Sequence, residues 1–386
     1  MPRRRVLRPC ALALVAGLAL AACSGPPAPD AGLPPGALLV ARTAGLQRLL
    51  ATAAKLEGTP LARQARALAG RLPDCERVEA RADGNAGLPD SLACGDPNGP
   101  LAALHRKLGE HDLAFALAVG VPARMLGSAD VAGDGTLAVS LLLPGDALAG
   151  PAGFLLPGSE PAGPPVLSAS EQLVHARVRA GERLDLASFV PPESQAARLF
   201  HLESALFSGL VLDGTWEAAV YLPEDGSGTP RTALALGVRE RTAAVAAIEA
   251  FIEKIRESWP VQRSDFSVGG ASGACLLDLN LLPDLAPCYV ATERSLVAGW
   301  NPASLRQALA GGSRPAQLGI GLGGAGALVL DLARVEEADA RLRARLPAGA
   351  VLLPASVYPW SRLSLRGERG QGGVRLQLRL AAKESA

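Results

Sequence analysis

The chain has 386 residues, 49% of them hydrophobic and 19% charged, with 38 Lys and Arg against 37 Asp and Glu. A chain this apolar and this close to neutral collapses, which excludes general disorder, and its length suits two ordinary domains. A formal charge of +1 gives no electrostatic hold on nucleic acid, and 4% aromatic residues leave few stacking platforms, so nucleic acid is excluded as a partner.

In chain order, the first element is an export signal. Arg3, Arg4, Arg5 and Arg8 precede an uncharged run of 13 residues from Cys10 to Ala22. A hydrocarbon layer needs about 20 residues to cross, so the run is too short to span and suits the apolar core of a signal peptide. It ends in Leu20-Ala21-Ala22-Cys23, which resembles the lipobox of bacterial lipoproteins. The resemblance implies that residues 1–22 are removed, that Cys23 is diacylated with palmitate-type chains, and that the new amino terminus is usually acylated too. Ser24, directly after the Cys, implies by the same resemblance the outer membrane of a Gram-negative bacterium, facing the periplasm. The inner membrane and the cell surface stay open. Several acyl chains at about 0.8 kcal/mol per buried CH2 make such attachment effectively permanent. Residues 23–35 then read as a tether, because Pro and Gly from Ser24 to Pro35 prevent helix or central strand.

Cys10 falls in the signal and Cys23 in the lipobox, which leaves Cys75, Cys94, Cys275 and Cys288. An even number in an exported chain predicts two disulfides. Three pairings are possible, and proximity in sequence favours Cys75–Cys94 with Cys275–Cys288. Each closure contributes roughly 3 kcal/mol in the chain-entropy view. The spacings match no zinc knuckle and none of the four histidines flanks them, so no metal ligand is assigned.

Residues 36–143 read as an N-terminal α+β domain. Gly36–Val40 is a short apolar strand, and Leu46, Leu49, Leu50 and Ala53 follow at helical spacing; a second helix runs from Pro60 to Leu72. Asp112–Gly120 and Gly135–Leu143 read as buried strands. Pro and Gly crowd 144–165, a linker or long loop whose Phe154, Leu155 and Leu156 either tuck onto the core or touch lipid or a partner.

Residues 166–386 read as a C-terminal α+β domain. Leu173–Arg179 alternates, with His175, Arg177 and Arg179 predicted on a solvated face. Phe207–Leu222 predicts a hairpin turning on Asp213-Gly214. Val245, Ile248, Ile252, Ile255 and Trp259 step by three and four, predicting a helix over 242–259. Strands are expected at Cys275–Asn280, Pro287–Thr292 and Leu296–Trp300. Asn301-Pro302 then starts a helix as N-cap and first turn, with Gly311 at its end. Ala327–Leu330 and Leu332–Leu346 repeat strand-then-helix with Asp331 as cap, and a hairpin of 362–366 with 374–380 closes the chain. The predicted class is α+β: largely antiparallel sheets, helices packed on one face, and repeated strand–helix units.

The stretch Leu234–Gly311, with Tyr289-Val-Ala-Thr-Glu-Arg-Ser-Leu-Val-Ala-Gly-Trp-Asn-Pro-Ala-Ser-Leu within it, resembles a bacterial family of exported, often lipid-anchored proteins of unknown function. Pro35–Val40 resembles the usual start of that family. The resemblance implies a fold and no catalytic residue.

No constellation of catalytic residues emerges. Gly319–Gly324 satisfies G-x-G-x-x-G but leads into a strand, the reverse of the order a pyrophosphate loop needs. Gly270-Ala-Ser272-Gly273 lacks the spacing of a nucleophile elbow. His105, His111, His175 and His201 share no metal-binding face. No catalytic, cofactor or metal residue is therefore assigned. The sequence predicts a non-enzymatic binding or scaffolding module, tied to the membrane by its acyl chains, with an envelope protein or a lipid as partner. Two alternatives remain: a protein that handles lipid in a groove between sheet and helices, and an unrecognised hydrolase.

Overall fold

The computed structural model describes residues 37–56, 60–82, 92–96, 98–99, 104, 108–118, 124–143, 157–168, 172–180, 211–222, 230–278, 285–310, 325–343, 360–370 and 373–383. The export signal, Cys23, the tether, the Phe154 segment, Gly319–Gly324, His105 and His201 lie outside the described residues. The described residues form mostly antiparallel strands with five helices among them, the mixed content that the sequence predicts. The described residues divide into two compact units. One is drawn from 1–150, 346–363 and 370–386, the other from 151–345 and 364–369.

The first unit opens with β1 (Ala37–Arg42), which runs without a loop into α1 (Thr43–Ala54); α2 (Pro60–Ala69), β2 (Arg77–Ala82) and β3 (Ala93–Cys94) follow. Next come β4 (Leu113–Ala118), β5 (Arg124–Val131) and β6 (Leu137–Leu143). Alternation along β1 divides its side chains between two cores. Ala41 packs with Leu46 and Leu50 of α1, Ala65 of α2 and Val78 of β2. Leu38 and Val40 pack with Leu104, Ala114 and Ala116. Cys75 and Cys94 are joined, tying the approach to β2 onto β3. The neighbouring strands run in the order β3-β2-β1-β4-β5-β6, and β6 pairs with β16 (Gly373–Ala382) from the end of the chain. The sequence reading keeps 166–386 together, whereas its last strand pairs here with β6.

The second unit contains β7 (Gln172–Arg179), β8 (Leu212–Tyr221), β9 (Arg231–Val238) and the 18-residue α3 (Arg241–Ser258). It continues with β10 (Gln262–Val268), β11 (Ala271–Leu277), β12 (Cys288–Ala291), β13 (Ser295–Gly299), α4 (Pro302–Leu309), β14 (Gly326–Asp331) and α5 (Leu332–Arg343). The long β15 (Trp360–Gly370) contributes residues to both units. Strand order within the second unit is β10-β11-β12-β13-β9-β8-β7-β14, with each adjacent pair antiparallel. Cys275 and Cys288 stand opposite one another on β11 and β12 and are joined.

Helices cover both faces here, a departure from the single face expected. Leu236, Val238, Tyr289, Ala291 and Leu296 meet α3 through Ala244 and Ile252. Their neighbours in the alternation, among them Ala235, Val290 and Val297, meet Leu305 and Ala308 of α4. The small Ala233 and Ala235 let α4 approach closely on its face, while α3 covers the other face only in part and leaves Leu234 and Ala298 exposed.

Two further expectations change. Asp213-Gly214 does not end a strand: it sits inside β8, where the pairing with β9 shifts register between Leu212 and Trp216. Gly214 adopts φ 89°, a left-handed conformation suited to a bulge, and Asp213 Oδ1 accepts from Thr215 N at 2.7 Å. The solvated face of β7 is the second correction. His175 and Arg177 are 3% and 4% exposed, because the segment 157–168 lies over them.

Candidate functional site

Two features of the second unit gather side chains from distant parts of the sequence. One is polar and buried. Glu217 of β8, 2% exposed, accepts from His175 Nε2 at 2.8 Å and from the backbone N–H groups of Val166 and Leu167 at 3.1 Å or less. Arg177 Nε stands 3.7 Å from the same carboxylate, while its Nη2 donates to Pro164 O at 2.9 Å. Tyr221 Oη and Gln172 Nε2 both donate to Ser168 O. Burial pulls the Arg177 guanidinium below its ordinary pKa, and the Glu217 charge pulls it back. Most hydrogen bonds of this cluster go to backbone groups of 162–168, the pattern of a clasp holding that segment to the sheet, while Gln172 Oε1, His175 Nδ1 and Arg177 Nε are buried without a hydrogen-bond partner.

The other feature is an apolar groove of about 370 Å3 on the opposite face. The wall comes from α3, whose 3.6-residue period carries Phe251, Ile255 and the capping Trp259 along one flank. The floor comes from Leu276, Tyr289 and Ala298 on three adjacent strands. Strand alternation brings those three to one face, while Cys275 and Val290 point to the α4 side. No charged side chain lines the groove among the described residues. Its volume lies at the lower end of the roughly 300–1,000 Å3 typical of small-molecule sites. Ala298 is exposed, and its cross-strand partner Leu234 is 39% exposed, so the floor continues out past α3.

A polar network flanks the other side of α3. Glu249 accepts from Tyr289 Oη and from Arg263, at 3.1 Å from Nε and 2.8 Å from Nη2. The Arg263 hydrogen bonds hold the Glu249 carboxyl below its ordinary pKa against some burial, with the Tyr289 hydroxyl adding to them. Burial pushes the Tyr289 phenol up, as does the Glu249 beside it. The hydroxyl that reaches under the helix is therefore neutral and anchored, and it fixes α3 over the floor.

Of the histidines singled out by sequence, His175 belongs to the buried clasp. His111 in the first unit bonds Asp130 at 2.7 Å and Leu108 O at 2.9 Å. Ser272 lies on β11, beside the turn at Gly269 and Gly270. Among the described residues, no three His, Cys, Asp or Glu side chains gather closely enough to hold a metal ion. Sequence reading singled out neither Glu217 nor the residues that line the groove, although it offered a groove between sheet and helices as an alternative; the available signal for Glu217 was a charge set among the apolar residues Trp216–Tyr221 of β8. No helix among the described residues is long and apolar enough to cross a membrane. No protein-family model, curated protein or solved structure matches this chain.

Proposed function

We propose that this chain is a lipid-anchored protein of the bacterial envelope, facing the periplasm, whose second unit binds an apolar ligand in the groove beside α3. The groove carries the ligand part of this reading: about 370 Å3 without a charged lining group suits a hydrocarbon and offers nothing to a polar substrate. The lipobox-like Leu20-Ala21-Ala22-Cys23 and the tether after it support the anchor, and Ser24 supports the outer membrane. The resemblance of Leu234–Gly311 to exported, lipid-anchored proteins points the same way. Binding without catalysis is the proposed activity: among the described residues His175 is committed with Glu217 to the clasp, and His111, paired with Asp130, spends its other nitrogen on Leu108 O. Within this reading, β1–α1 and β14–α5 form a recurring unit. Each is a six-residue strand passing directly into a 12-residue helix.

The test uses soluble protein beginning at Ser24, exported, gently purified and weighed by native mass spectrometry. A near-stoichiometric apolar adduct, or uptake of added palmitate, is the expected result. A bare protein mass that stays bare after incubation with palmitate would overturn the proposal and return attention to scaffolding, through crosslinking in cells.

A further inference from the structure

The strand order of the second unit ends at β10, and no described strand pairs with its outer side. Which backbone groups face outward follows from the hairpin with β11. Gly269 and Gly270, at φ 58° and 80°, form a two-residue turn, so Val268 C=O bonds Ala271 N–H and bonded pairs alternate from there. Leu276 fixes the same phase: its N–H donates to Pro287 O on the β12 side at 2.9 Å, so its partner Arg263 turns its backbone away from β11. The N–H and C=O groups of Arg263, Asp265 and Ser267 therefore point outward, and nothing among the described residues bonds them. Edge strands are ordinarily blunted by shortness, proline or a bulge. β3, which ends the order of the first unit, is two residues long. β10 runs seven residues without proline and keeps one register with β11 throughout. What guards it is charge: Arg263 and Asp265 are neighbours on the α3 face, and the Asp265 side chain is 89% exposed.

We propose that β10 pairs with β10 of a second copy of this chain, antiparallel, about a two-fold axis at Ser264. A two-fold interface must complement itself, and the place of the axis decides whether this one does. Directly opposite residues share a face, so an axis at Asp265 sets two carboxylates against one another, and an axis at Arg263 two guanidiniums. At Ser264 the outward backbones of Arg263 and Asp265 meet those of the second copy's Asp265 and Arg263. Each guanidinium then stands opposite a carboxylate, twice over. Arg263 has donors to spare: of its five N–H groups, Glu249 takes two and its own Asp265 one. A strand of arbitrary sequence leaves these charges unmatched, so the pair that guards the edge also selects its own copy. Neither helix closes the approach. Centred no nearer than β11 and β12, the two copies of α3 stand at least about 19 Å apart, against a helix diameter of about 10–12 Å. On the α4 face Gln262 and Ser264 are exposed, which leaves the strand open at the axis.

Sedimentation of the protein beginning at Ser24 tests this. The expected result is a dimer that grows with concentration up to about 100 µM and recedes as salt screens the exposed ion pairs. Asp265→Arg, which sets like charges opposite one another, should raise the dimer Kd at least about ten-fold, as should Arg263→Asp. Mixed together, these two variants should pair with each other, because each supplies the charge the other lacks. Asp265→Pro removes an N–H that points outward, so it should abolish the dimer and leave the circular dichroism of the β10–β11 hairpin's fold unchanged. It carries the test if Arg263→Asp fails to fold without its Glu249 bond. A dimer indifferent to these substitutions would overturn the edge as the interface. Folded charge variants that fail to pair in the mixture would overturn the axis at Ser264. Wild-type protein still monomeric at about 100 µM would overturn the second copy as occupant and leave the edge to a strand of another protein.

Discussion

Glu217 shows what one carboxylate can organise. It is 2% exposed, yet it receives two backbone N–H groups from 166–167, an imidazole N–H and the nearby Arg177 charge. Removing one partner of a buried ion pair leaves the other charge stranded, at about 3–5 kcal/mol. Glu217→Ala should therefore lose about that much stability in denaturant titration, and Glu217→Gln, which keeps an acceptor, should lose less. Equal and small losses would show that the clasp contributes little. At Glu249 the argument concerns acid. Arg263 holds this carboxyl below its ordinary 4.5, so its contribution is complete above that value and disappears as pH falls through the folded-state pKa. The stability gap between wild type and Glu249→Gln should be widest near neutrality and close on acidification. A gap constant down to pH 3 would contradict the assigned ion pair. Neither residue was legible in the sequence as a site. A charge at one position says nothing of the backbone that folds over it from 50 positions away.

Elements whose causes are local were legible. Asn301-Pro302 announced α4, and the structure puts Asn301 Oδ1 2.9 Å from Ser304 N, with Ser304 fully buried beneath. Asn301→Ala should cost about 1 kcal/mol in thermal or chemical unfolding, and an unchanged midpoint would deny the cap a role. The apolar steps of α3 were equally readable, although its actual cap is Glu240, whose carboxylate accepts from Thr242 N at 2.8 Å and Ala243 N at 2.6 Å. Elements set by tertiary context were not. β10, Gln-Arg-Ser-Asp-Phe-Ser-Val, has too weak an apolar alternation to announce itself and is a strand because β11 pairs along all seven of its residues. Asp213-Gly214 carried the right conformational signal and the wrong inference. A positive φ serves a bulge as well as a turn, and the pairing partner decides between them.

At the scale of the whole chain, the sequence divides by kind of information. The N-terminal 35 residues read as an address because export signals are linear codes. A groove between sheet and helices was one alternative, but its place was not legible, because its wall and floor come from α3, β11, β12 and β13, which only folding brings together. The proposed anchor makes a prediction of its own. Cys23→Ser should move the protein from the membrane to the soluble periplasmic fraction, and full retention at the membrane would defeat the lipoprotein reading.

The joined Cys275 and Cys288 lie on neighbouring strands, and Cys288 belongs to the groove lining. The disulfide lies on the α4 side of the sheet and ties together two of the strands whose other face floors the groove. Without that bond, hydrogen bonds and packing alone hold the two strands together. If the chain is exported and binds a hydrocarbon as proposed, oxidation on export would tie these two strands together only after the chain has left the compartment that makes it.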